Sequence, residues 1–175
     1  KLGELGGRYQ TLTGAATTQA GTTLLNVTGT LSINLTDSSV NFGSGYVDPA
    51  QSTATLNTEG THTNWFNSTG GTSFLTSDQM IVENDGTLAA NVTINAGSDA
   101  ETWLGGTLAS TTANFKVKVT ETESTVACDT TPLTSYTSIA DASGNSAETV
   151  LCDKLLTANA NDQLNVDYEA TIPND

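Results

Sequence analysis

Residues 25–36 read LNVTGTLSINLT, and their alternation points to the class of fold. Leu25, Val27, Leu31, Ile33 and Leu35 fall on one side, with Gly29 in the remaining place. Asn26, Thr28, Thr30, Ser32, Asn34 and Thr36 fall on the other. A period of two belongs to a strand with one face on a core and one in water, because successive side chains point to opposite faces of a sheet. The reading is a strand over 22–36, apolar side inward, Asn and Thr side outward.

Working outward, the same signal recurs. VNFGSGYV (40–47) carries a mid-strand glycine that suggests a bulge, and TATLNT (53–58) alternates. Residues 79–95 read as a hairpin, QMIVE and TLAANVTIN joined at Asn84-Asp85-Gly86, with Leu88, Ala90, Val92 and Ile94 on one face. NFKVKVTE (114–121) turns Phe115, Val117 and Val119 inward. QLNVDYEATI (163–172) does the same with Leu164, Val166, Tyr168, Ala170 and Ile172. Helical signal is scarce: AETVLCDKLL (147–156) suggests one or two turns. Several period-two strands with turns about every ten residues predict an all-β fold, an antiparallel β-sandwich of jelly-roll or Ig-like type. The expected organisation is an N-terminal extension over 1–21 and a single sandwich domain over 22–175.

Charge narrows the partners. Five Lys/Arg stand against nineteen Asp/Glu, a net charge of -14. Nucleic acid and anionic membrane surfaces both select for clustered cations, so neither is expected as a partner. The acids are scattered singly, which favours solubility, and no EF-hand loop accompanies them. No window approaches the roughly 18 apolar residues of a membrane span. The chain opens on Lys1, so the expectation is a mature exported chain whose signal has been removed. That opening, KLGELGGRYQTLTGAATTQ, lacks the long apolar helix with which a type IV pilin or archaellin builds its filament.

Cys128 and Cys152 are the two cysteines, 24 residues apart in the most irregular part of the sequence. A disulfide restraining a long loop is the favoured reading, with two buried thiols as the alternative. Two thiols and the distant His62 make a poor zinc site, so no metal and no cofactor is implied. An enzyme finds no triad or nucleophile elbow. Glu121 with Glu123, and Asp167 with Glu169, are carboxylate pairs at i, i+2 expected on the solvated faces of their strands. Trp65, Phe66 and Trp103 suit core plugs, sugar-stacking platforms or interface anchors. Sequons begin at Asn26, Asn34, Asn67 and Asn91, and three of these four lie on the polar face of an alternating strand, where a glycan is tolerated.

The closing strand suggests a sandwich short of one strand, and an unpaired edge invites pairing. The leader has strand-forming residues without a strong apolar face of its own. Inserting it into the open groove of the next subunit would give a head-to-tail contact that propagates as a filament. Candidate donor residues are Tyr9, Thr11, Leu12, Thr13, Ala15 and Thr17.

Four segments carry a resemblance: IVENDGTLAANVTINA, VNFGSGYV, NFKVKVTETES and NDQLNVDYEATIPND. Over residues 40–175 they resemble small secreted surface proteins of archaea and, more distantly, the TasA/camelysin-type biofilm matrix proteins and archaeal bundling pilins. That resemblance implies a non-enzymatic sandwich polymerising by donor-strand exchange into extracellular, cell-surface fibres, its partners being copies of itself and possible surface glycans or other cells. The leader here is less hydrophobic than the resemblance implies. The alternative reading is a monomeric secreted carbohydrate-binding or adhesin module, or an S-layer-associated surface protein.

Overall fold

A computed structural model of the chain describes residues 9–13, 22–26, 29–68, 77–104, 113–123, 126–139, 148–157 and 160–174. The chain divides into two compact units, Lys1–Thr30 and Leu31–Asp175. In the first, β1 (Tyr9–Thr13) pairs antiparallel with β2 (Thr22–Asn26), Tyr9 opposite Asn26 and Thr13 opposite Thr22.

The second unit begins with β3 (Asn34–Asp37), so the strand expected over 22–36 is two strands in different units. Gly29 lies between them, the one place on the apolar side with no side chain to pack and the largest backbone entropy to lose. Then come β4 (Gly45–Val47), β5 (Thr53–Asn57), β6 (His62–Thr63), β7 (Trp65–Asn67) and β8 (Met80–Glu83). The chain continues through β9 (Ala90–Ile94), the single turn of α1 (Ala100–Leu104), β10 (Asn114–Thr120), β11 (Thr137–Ser138), β12 (Thr149–Leu155) and β13 (Gln163–Pro173). All the strand pairs among the described residues are antiparallel. The fold is all-β and sandwich-like, as the alternation predicts.

The eleven-residue β13 organises it. One edge pairs with β10, which pairs with β11. The other edge pairs with β8 through Gln163–Val166 and with β5 through Glu169–Pro173. β3 adds to the outer side of β8. Facing this sheet is the β9–β12 pair. Val82, Val92, Val117, Val119, Leu155, Leu164 and Val166 meet between them in one buried cluster. A second, smaller cluster gathers Val47, Ala54, Leu56 and Trp65, so Trp65 is a core plug under the β4–β7 ribbon. Gly45 is required there, because a Cβ on it would lie 2.7 Å from the Trp65 ring and closer still to the Phe66 carbonyl oxygen.

Three expected elements differ. VNFGSGYV is a turn and a short strand: Gly43 takes φ 74°, with its N–H donating to Asn41 Oδ1 at 2.8 Å. The 79–95 hairpin does not form, since β8 pairs with β13 and β3 while β9 pairs with β12. Asn84 explains this. Fully buried, it donates from Nδ2 to the carbonyls of Leu88 and Leu155, both at 3.0 Å, and accepts from Gly86 N–H. The Asp85-Gly86 turn therefore carries the chain across to the facing sheet. Finally, 149–155 is the strand β12 and not helical turns. Its register shifts between Val150 and Cys152 and again before Leu155, so the buried residues fall at 151, 152 and 155, a spacing that imitates a helix face.

Candidate functional site

A predominantly apolar groove of about 370 Å³ lies between the two sheets of the second unit. Met80 and Val82 of β8 with Val166 and Tyr168 of β13 form its floor. Val92 and Ile94 of β9 and Leu151 of β12 form one wall, and Ile33 and Leu35 lead out along β3. Leu35 stands opposite Val82 in the register, so the two share the inward face of the sheet. Yet Val82 is 4 % exposed, whereas Leu31, Ile33 and Leu35 are 66 %, 41 % and 47 % exposed. Ile33 and Leu35 thus line the groove, on the side that the alternation predicts to face inward, but among the described residues no strand covers them.

The backbone around the groove is equally asymmetric. β12 is satisfied on both edges: one pairs with β9, and on the other Leu133 N–H donates to Leu151 O, Asp129 N–H to Lys154 O, and Leu156 N–H to Ala127 O. Among the described residues β9 pairs with β12 alone, and β3 with β8 alone. Two outer strand edges flank an apolar floor, which is the arrangement that accepts a further strand.

The Cys128–Cys152 disulfide forms, with the two Cα atoms 5.8 Å apart and both residues buried. It ties β12 to the 126–133 segment, and closing a loop of that length restrains the unfolded chain by on the order of 3 kcal/mol. The wall of the groove is therefore anchored from behind. An ion pair between Lys154 and Asp129 adds to the same joint. Of the other two lysines in 31–175, Lys116 pairs with Glu169 at 2.7 Å and Lys118 with Glu59 at 2.8 Å. With its three lysines engaged and eighteen acids present, this unit carries a formal charge of -15. Residues 1–30, with Lys1 and Arg8 against Glu4, carry +1.

Asp167 departs from the sequence reading, which expected a solvated face. It is fully buried, accepting from Thr58 Oγ1 at 3.1 Å, Gln79 Nε2 at 2.6 Å and Thr120 Oγ1 at 3.0 Å. The cause is topological: at this point β13 changes partner from β8 to β5, and Thr58 fills the junction. Thr58 N–H donates to the Tyr168 carbonyl and its Oγ1 accepts the Tyr168 N–H. Nearby, Glu59 is held below the usual carboxylate range by its bond to Lys118 and, after the opposing cost of burial, by Tyr136 Oη–H. Burial and the Glu59 charge push the Tyr136 hydroxyl up. Burial pushes Tyr168 up to about 12, with its hydroxyl against Met80 Sδ at 3.0 Å. Glu121 and Glu123 also have structural work: they accept the N–H groups of Cys128 and Gln163 at 2.7 and 2.9 Å.

The remaining sequence-marked residues are dispersed. Asn34 and Asn91 are exposed on β3 and β9, and Asn67 is half-buried on β7. Asn26 is in β2, its side chain outside the described set, as is that of Trp103. Tyr9, Thr11, Leu12 and Thr13 lie in β1, while Ala15 and Thr17 fall outside the described residues. His62 is half-buried in β6 opposite Leu56. The sequence reading missed Met80 and Val82 as a groove floor. Their alternation was visible, but nothing in it says that the facing sheet stops short. No protein-family model, curated protein or solved structure matches this chain.

Proposed function

We propose that this chain is the structural subunit of an extracellular, cell-surface filament, exported and polymerising head to tail by donor-strand complementation. The observation that carries this reading is the groove: an apolar floor with Ile33 and Leu35 exposed beside it, flanked by the outer edges of β3 and β9. Exposed strand edges over apolar surface are strongly disfavoured in a protein that works alone. The buried disulfide is compatible with export. Sugars on Asn34 and Asn91, both exposed, would point into solvent from the strands beside the groove.

A monomeric carbohydrate-binding or adhesin module is the second reading. It is favoured by Tyr46 and Phe66, neighbours across the β4–β7 ribbon with ring centroids 5.7 Å apart, Tyr46 being exposed. Negative-stain microscopy of native material, with intact mass recorded on the same sample, separates the two. Fibres that vanish when residues 1–20 are deleted, from subunits carrying hexose-sized mass increments, are the expected result. Fibres unchanged by that deletion sink donor-strand assembly, and particles that remain monomeric at every concentration favour the binding module.

A further inference from the structure

Among the described residues the β9–β12 sheet is two strands wide where the sheet it faces is wider, and the shortfall lies at the outer edge of β9. Neighbouring strands lie about 4.8 Å apart, so one added strand would advance that sheet over the exposed side chains of Ile33 and Leu35. β9 is five residues long, and so are β1 and β2. A lone two-stranded hairpin is marginal in water, and three or more strands over an apolar face are needed for stability. The β1–β2 hairpin and the β9–β12 pair are each below that number. Joined edge to edge, they make four strands.

Charge selects between possible occupants. An acidic or neutral strand gains nothing from a unit of charge -15, whose three lysines are already paired. Of the two units, 1–30 is the one with a net positive charge, and Arg8 immediately precedes β1. Around the groove stand Glu83, opposite Asn34 in the register, and Glu148, which accepts a hydrogen bond from Thr93 Oγ1 at 2.9 Å. Opposite potentials raise the rate of encounter and disfavour wrong partners.

We infer that the slot beside β9 takes the β1–β2 hairpin of a second copy, which adds its edge to β9, covers Ile33 and Leu35, and is steered there by its positive charge. This rests on the filament reading and names the contact that would build it. It also replaces a single donor strand by a hairpin, so that the donor keeps its own pairing while it docks.

The test is photocrosslinking of the full chain with Ile33→p-benzoylphenylalanine, which leaves the sequon at Asn34 intact. Isotope-labelled and unlabelled copies are mixed before assembly, and circular dichroism checks that the variant keeps its fold. The expected adduct joins position 33 of one copy to a peptide within residues 9–26 of the other isotope. A second variant, Arg8→Glu, should lower the crosslinked yield several-fold at low salt. That difference should close as the screening length falls from about 30 Å at 0.01 M to about 3 Å at 1 M ionic strength. Adducts confined to the same chain, or to a segment outside 9–26 of the second copy, overturn the inference. When fibres are still seen in that case, the filament reading stands without it. Absence of both fibres and intermolecular adducts removes both.

Discussion

The inward faces of β13 and β3 carry the same kind of alternation, yet they end in opposite states. On β13, Leu164 and Val166 are sealed beneath β9 and β12, with Val117 and Val119 of the adjacent β10 joining the same cluster. On β3, Leu35 points the same way as the buried Val82 and remains about half exposed. The difference lies in the facing layer. Behind β12 the disulfide and three backbone hydrogen bonds hold the 126–133 segment in place, whereas beyond β9 the described residues supply nothing. Alternation therefore reports which way a side chain points. Whether it is covered depends on how many strands the opposite sheet has.

The sharpest way to break this comparison is to truncate both sides. Leu164→Ala removes a fully buried side chain from a packed cluster and should cost about 2–5 kcal/mol, read from urea unfolding. Leu35→Ala should cost the monomer no more than about 0.5 kcal/mol while reducing self-association. Equal destabilisation by the two would mean that β3 is covered in solution, and the contrast would disappear. Asp167→Ala should fall next, at roughly 1–3 kcal/mol, because the donors from Thr58, Gln79 and Thr120 lose their acceptor in a buried place. Asp167→Asn, which keeps the shape and one carbonyl oxygen, should cost less. If the two variants unfold at the same denaturant concentration, the hydrogen-bond account of this junction is wrong.

The reading of the sequence was most faithful where a strand keeps an unbroken register. NFKVKVT and QLNVDYEATI appear as β10 and β13 with Val117, Val119, Leu164 and Val166 buried as their spacing implies. It failed where a local signal has two outcomes. Asp85-Gly86 is a tight-turn dipeptide whether the chain doubles back or crosses to another sheet, and only the distant Leu155 carbonyl bound by Asn84 decides. Residues 151, 152 and 155 looked helical because two register shifts disrupt the period of two. Asp167 looked solvated because alternation puts it opposite the core; the partner change of β13 that buries it is set by β8 and β5, each more than seventy residues away in sequence. The groove belongs to this last kind. Its residues were legible one by one, and the missing cover was not.

The smallest effect tests the other, polar side of β13's sheet, where Lys118 reaches across to Glu59 and lies 4.8 Å from the centre of the Tyr136 ring. Glu59 has a folded-state pKa below its unfolded value near 4.5, first because of the Lys118 bond. A carboxyl group lowered in this way stabilises the fold fully above that unfolded value. The contribution is lost as pH falls through the folded value, since the unfolded chain then takes up the proton first. Because Glu59 is more than a third exposed, the pair is worth only about 0.5–1 kcal/mol. Glu59→Gln should therefore lower the melting temperature slightly at pH 7, and its melting curve should converge with that of the parent chain well below pH 4.5. A gap between the two that stays constant from pH 7 to pH 2 would show that Glu59 acts through packing around Tyr136 and not through its charge.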